Sequence, residues 1–380
     1  MRGGDELSDI IRLFKDDFFK SFPPCTQVSK VLSALAQCRT AALGGHVDEC
    51  PACGHIKISY NSCRNRHCPK CQGIEREKWI QDRKQELLPV KYFHVVFTLP
   101  DTLNGLLAAN MKEGYTALFR AAYATLDKFA QAAGFTTGMT AVLHTWGSNL
   151  SYHPHLHCIV PAGGIGPDGK WKHAANAFNK SPFLFSVRAM SKVFRAIFVR
   201  HLTKTVRIAP SARKKLFAKE WVVYSKRPFC KPDHVIEYLG RYSHRVAISN
   251  RRIEEVSSQK VTFQYKDYRQ GGKKKLMSLT GVEFLRRFCF HILPRGFVRI
   301  RHYGILATAN REVLGDLQQQ AGVPAVPKHR RKRKWLEIAR ENGKEYGMCP
   351  QCKCAIMSTI ATIPMARAPP KGKYRIDKAI

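Results

Sequence analysis

The chain has 380 residues, 44% of them hydrophobic, which suits two or three modules with buried cores and excludes disorder throughout. Lys and Arg number 64 against 28 Asp and Glu, a net charge of +36 that points to a polyanionic partner. Residues 1–10 hold no long apolar run and no stretch reaches the ~18 residues of a membrane span, so neither a signal peptide nor a membrane partner is expected.

Residues 5–22 place Leu, Ile and Phe on a helical repeat that Pro23 and Pro24 stop, and a second helix is expected over 28–38. From 39 to 73 the chain is dense in Cys, His, Gly and Arg with little periodicity, which suits a module folded around metal. A charged helix over 74–88 leads to KYFHVVFTLP at 91–100, read as a buried strand. Asp101 can cap one long helical segment running to Ala133, with Gly134 as its stop. Residues 140–146 and 153–160 read as strands, 192–205 and 233–244 as helices, and 261–266 with 275–279 as a hairpin around Gly271 and Gly272. The expected division is N-terminal helices over 1–37, a zinc-binding module over 38–73, an α+β domain over 74–310 and a basic tail over 311–380. That tail carries a run of Lys and Arg at 328–334 broken only by His329.

Thirteen cysteines, seven of them between Cys25 and Cys71, are better explained by metal than by disulfides. The knuckles Cys50-x2-Cys53 and Cys68-x2-Cys71 match the tetrahedral demand of structural zinc. Cys38, His46, Cys63 and His67 offer a second Cys2His2 set, with His55 as a competing donor, so one or two zinc ions are expected. Between the knuckles, Arg64, Asn65 and Arg66 are placed to face outward toward phosphate, or else to form a solvated loop.

In SYHPHLHCIV the residues His153, His155 and His157 alternate, so a strand would turn all three to one face. Spacing of this kind suits a metal site and equally suits half-exposed strand histidines. In DHVIEYLGRYSHR, Tyr238 and Tyr242 stand i and i+4 and share a helix face, with Arg241 and Arg245 as a basic stripe beside them. A tyrosine hydroxyl, with a pKa of ~10, is a poor nucleophile at pH 7 unless a cation polarises the phosphate it attacks. Packing of that helix on a sheet is the competing explanation for the two tyrosines.

Taken in order, KYFHVVFTLP, HPHLHCIV and YLGRYSHR resemble the HUH endonuclease superfamily, whose nuclease domain is an antiparallel sheet with packed helices. With the cysteine module in front, RHYGIL at 301–306 and CPQC at 349–352, the chain is similar to the two-tyrosine rolling-circle transposases of the insertion-sequence ninety-one family and their common-region relatives. The resemblance covers about residues 39–304. It implies a cut in single-stranded DNA by tyrosine attack on phosphorus, leaving a 5′-phosphotyrosine and a free 3′-OH without ATP. It implies His155 and His157 as ligands of a catalytic Mg²⁺ or Mn²⁺, and Tyr238 and Tyr242 as nucleophiles. No motif fixes a third ligand; His153, His234 and Glu237 are candidates. Lys273, Lys274 and Lys275, beside Tyr265 and Tyr268, suggest a cationic stacking surface for the strand, or a solvated hairpin tip. DNA at transposon ends and targets, host replication factors and a cytoplasmic, nucleoid-associated location follow as expectations. Two other readings are a non-catalytic zinc-dependent DNA-binding regulator and an RNA-processing nuclease.

Overall fold

Five antiparallel strands, in the order Ile300–Gly304, Gly138–Trp146, Tyr152–Pro161, Tyr92–Thr98 and Val223–Ser225, form the largest sheet. Their alternation sorts side chains onto two faces. Phe93, Val95, Phe97, Leu143, Leu156, Cys158 and Val160 share one, and the helices Met111–Ala132 and Val187–Leu202 bury it. At about 1.5–3 kcal/mol for each large apolar side chain removed from water, that layer is the main source of stability. On the other face Tyr92, Val142 and Ile159 meet Val235 and Ile236 of the helix Pro232–Ser243.

This computed structural model describes residues 5–175, 183–226, 229, 232–327, 337 and 347–366, without the side chains of residues 232, 233, 239, 241 and 269. They fall into two compact units. The sheet belongs to the one made of 79–243 and 293–331. The other interleaves 1–78, 244–292 and 332–380. Its helices Leu7–Ser21 and Gly281–Cys289 pack together, beside a sheet of Ile253–Val256, Lys260–Asp267 and Lys273–Thr280. A second small sheet places Gly45–Glu49 between Ile56–Tyr60 and Ser358–Ile363.

The α+β class is as expected, with antiparallel sheets and a cysteine-bearing N-terminal module. The hairpin turns where the sequence indicates, with Gly271 and Gly272 at φ +65° and +80°, a region open to glycine. The long segment over 101–133 is not one helix. A short turn and the helix Asn104–Ala109 end at Asn110, whose φ of −133° leaves the helical region before Met111–Ala132 begins. The Leu106 carbonyl accepts both the Asn110 backbone N–H at 3.1 Å and Asn110 Nδ2 at 3.0 Å, so the side chain closes off the end of the first helix. Residues 311–366 also contribute ordered elements, the helix Arg311–Gln320 and the strand Ser358–Ile363, while the basic run 328–334 lies outside the described residues. Among the described residues no helix is long and apolar enough to cross a membrane.

Candidate active site and metal centres

The sheet register builds a histidine cluster. On the strand Tyr152–Pro161, His155 lies opposite His144 on one neighbour and Thr98 on the other, and His157 lies opposite Val142 and Val96. His144, His155 and His157 therefore share the face covered by the helix Pro232–Ser243, and one ligand nitrogen from each lies within 4.8 Å of the others. His144 and His157 are buried.

Second hydrogen bonds fix each ring. His155 Nδ1 is 2.6 Å from the His153 carbonyl, His144 Nε2 is 2.8 Å from the Tyr242 carbonyl, and His157 Nδ1 is 2.9 Å from Nε2 of His94. A carbonyl accepts only, so His155 and His144 carry their protons at those nitrogens and keep the lone pair on the other. Rings oriented in this way are what a metal-binding histidine set requires.

Both tyrosines stand at this cluster. The Tyr242 hydroxyl donates to that of Tyr238 at 3.0 Å, and the Tyr242 ring lies 4.1 Å from that of His157. Tyr238 meets the His94 ring edge-on at 5.1 Å and carries Lys226 Nζ over its own ring at 5.0 Å. The helix comes this close because Val235 and Ile236 are buried and because residue 240 is glycine. A Cβ there would stand 2.5 Å from Ile80 Cδ1.

Eight of the thirteen cysteines sort into two groups of four, each with its sulfurs within 4.8 Å: Cys38, Cys63, Cys68 and Cys71, and Cys50, Cys53, Cys349 and Cys352. In the first, Cys38 lies 3.5 Å from both Cys71 and Cys68, and Cys63 lies 3.7 Å from Cys71. Zinc–sulfur bonds of about 2.3 Å give a tetrahedral edge of about 3.8 Å. Hydrogen bonds from Cys38, Cys63 and Cys68 drive the Cys71 thiol down.

Residues 10–99 match the family described as "Transposase zinc-binding domain", and residues 138–313 match the one described as "Putative transposase". "Putative transposase y4qJ" of Sinorhizobium fredii is 40% identical over 97% of this chain and 98% of its own length. "Transposase for insertion sequence element IS801" of Pseudomonas savastanoi pv. phaseolicola is 31% identical over 74% of this chain and 70% of its own length. The chain belongs to the insertion-sequence ninety-one family of transposases. No solved structure matches it.

Within this transposase several expected residues stand elsewhere. Cys50 and Cys53 do not share a group with Cys68 and Cys71, since Cys38 and Cys63 complete the latter. His46 Nε2 faces Asp48 Oδ2 at 3.2 Å, His67 is buried, and neither belongs to a sulfur group. His153 gives the cluster its backbone carbonyl rather than its ring. His234 is exposed, and Glu237 pairs with Lys84 at 3.1 Å, so the third imidazole of the cluster comes from His144. Arg64 is exposed, at φ +51°, whereas Arg66 is half-buried, its pKa lowered by desolvation. Arg245 is exposed, and Arg241 lies on the tyrosine helix with its side chain outside the description. Lys275 pairs with Asp267 at 2.8 Å, while Lys273 and Lys274 are exposed on the same strand.

His94 and His144 are the site residues that the motifs missed. Each is a single histidine in an apolar strand, KYFHVVF and TAVLHTW, and that interruption of a buried run is the one signal they give.

Proposed function

We propose that this transposase nicks and rejoins single-stranded DNA in rolling-circle transposition, with Tyr238 and Tyr242 as alternating nucleophiles. The observation that carries the reading is the pair of hydroxyls 3.0 Å apart, with the Tyr242 ring 4.1 Å from that of His157 in the three-histidine cluster. A tyrosine oxygen bonds to phosphorus as the bond from phosphorus to the 3′ oxygen breaks. That oxygen takes up a proton and leaves as a free 3′-OH, and the 5′ phosphate stays on the tyrosine. Rejoining reverses the step with a different 3′-OH. The hydrogen bond from Tyr242 stabilises negative charge on the Tyr238 oxygen, and Lys226 adds positive charge beside that ring.

His144, His155 and His157 suit a catalytic cation through three imidazole nitrogens, each ring held by a second hydrogen bond. Mg²⁺ or Mn²⁺ held there would supply positive charge at the scissile phosphate, and imidazole donors favour Mn²⁺. Zinc at Cys38, Cys63, Cys68 and Cys71 is structural. Arg64, Arg66, Arg241, Arg245 and Lys273–Lys275 serve the phosphate backbone, in line with the +36 net charge. The proposed partners are transposon-end and target DNA together with host replication factors, at the nucleoid in the cytoplasm.

Labelled single-stranded DNA and matched RNA, incubated with the protein and Mn²⁺ or Mg²⁺, test the reading on a denaturing gel. A slow-migrating covalent adduct on DNA supports it. Cleavage of RNA alone favours an RNA-processing nuclease, and binding without cleavage favours a regulator.

A further inference from the structure

We propose that Cys50, Cys53, Cys349 and Cys352 hold a second structural zinc ion that clasps the strand Ser358–Ile363 onto the N-terminal zinc module. Half of this donor set lies beyond both family matches, which cover residues 10–99 and 138–313. The inference does not depend on the nicking chemistry.

Cys50 Sγ lies 3.6 Å from Cys352 Sγ, and Cys53 Sγ lies 3.6 Å from Cys349 Sγ. Disulfides would need about 2.05 Å, whereas the edge of a zinc tetrathiolate is about 3.8 Å. Cys50 and Cys349 are buried, Cys352 is half-buried and Cys53 exposed, so at the two buried sulfurs solvation of a lone thiolate is poor and shared coordination replaces it.

The two turns that supply the sulfurs repeat one another. Each reads Cys-Pro-x-Cys, and the residue that follows is left-handed, Gly54 at φ +70° and Lys353 at φ +57°. In one, the N–H of Gly54 donates to the Cys50 carbonyl at 2.9 Å and the N–H of Cys50 to the His55 carbonyl at 2.9 Å. In the other, the N–H of Lys353 donates to the Cys349 carbonyl at 3.0 Å and the N–H of Cys349 to the Ala355 carbonyl at 2.9 Å. A lysine in the left-handed region is unfavourable, which a turn built to aim two sulfurs explains.

The strand that follows has few other anchors. Ser358–Ile363 pairs with Gly45–Glu49 across a register shift, and Thr359 Oγ1 donates to Asp48 Oδ1 at 2.7 Å, but four of its six residues are exposed. An edge strand that buries so little is marginal by itself, and a metal bound at its base supplies the missing free energy.

The test is metal content of the full chain by mass spectrometry under native conditions. Wild type should carry two zinc ions; the C349S/C352S pair, the C50S/C53S pair and the fourfold variant should each carry one. Two ions in either pair variant, or one in wild type, would overturn the proposal. Should a variant fail to fold, timed alkylation of the wild-type protein decides. With zinc bound, Cys50, Cys53, Cys349 and Cys352 should react at least tenfold more slowly than the exposed Cys25, and a chelator should release Cys349 and Cys352 together with Cys50 and Cys53. Labelling of Cys349 and Cys352 at the rate of Cys25 in the zinc-loaded chain refutes the clasp.

Discussion

Nε2 of His94 lies 2.9 Å from Nδ1 of His157, in rings stacked 5.2 Å apart. His94 is buried, and burial, then Lys226, pushes its pKa down to about 4, so it is neutral at pH 7. It fixes the His157 ring, leaving Nε2 of His157 for the cluster, and touches both tyrosines. Replacing a group that orients a metal-binding histidine typically costs 10–100-fold in metal affinity or activity. His94→Ala should therefore raise the Mn²⁺ concentration needed for nicking by about that factor, with zinc content unchanged. His94→Asn, which keeps a polar group near the His157 nitrogen, should recover part of the loss and His94→Phe none. Equal Mn²⁺ dependence in all three variants would show that His94 only fills space.

A third imidazole from His144 has a consequence at single positions. His144→Ala should abolish nicking as fully as His155→Ala or His157→Ala, whereas His153→Ala, His234→Ala and Glu237→Ala should keep most of it. Metal-dependent cleavage rates across these six variants check the assignment. A silent His144→Ala, or a dead His234→Ala, contradicts it.

Stability offers an independent check on the packing of the helix Gly281–Cys289. A Cβ on Gly281 would stand 2.1–2.2 Å from ring atoms of the buried Phe14, so Gly281→Ala must displace that ring. The expected loss is about 1–3 kcal/mol, the usual cost of overpacking. Denaturant unfolding measures it, and an unchanged midpoint would show that the ring does not fill that space.

Glu283 gives a pH dependence of known sign. Hydrogen bonds from Arg286, then Arg287, hold its carboxyl down at about 2, below the ordinary value of 4.5. A depressed folded pKa contributes stability that is present above the ordinary pKa and lost as pH falls from about 4.5 through about 2. Glu283→Gln should accordingly lower the Tm at pH 7 and differ little from wild type near pH 2. Zinc loss on acidification is common to both proteins and cancels in the difference. Parallel Tm curves over that range would exclude the ion pairs as a source of stability.

Much of this site is legible in the sequence because two short periods carry it. Alternation places His155 and His157 on one strand face, and the i, i+4 step puts Tyr238 and Tyr242 on one helix face. His144 escapes notice because its partner, His155, is chosen by strand register, which no local pattern encodes. The cysteines show the opposite error. Two Cys-x-x-Cys pairs in neighbouring turns look like one site, yet each pair finds its partners elsewhere, Cys68 and Cys71 with Cys38 and Cys63, Cys50 and Cys53 some 300 residues along the chain. Asn110 interrupts an apolar repeat that looks continuous in sequence, because its backbone leaves the helical region there.

The most direct test of tyrosine chemistry at the histidine cluster is peptide mapping of the covalent adduct formed with single-stranded DNA and Mn²⁺. The nucleotide should be found on Tyr238 or Tyr242, each single Phe variant should keep some adduct on the remaining tyrosine, and the double Phe variant should give none. An adduct on any other residue, or one that survives in the double variant, would place the nucleophile outside this helix.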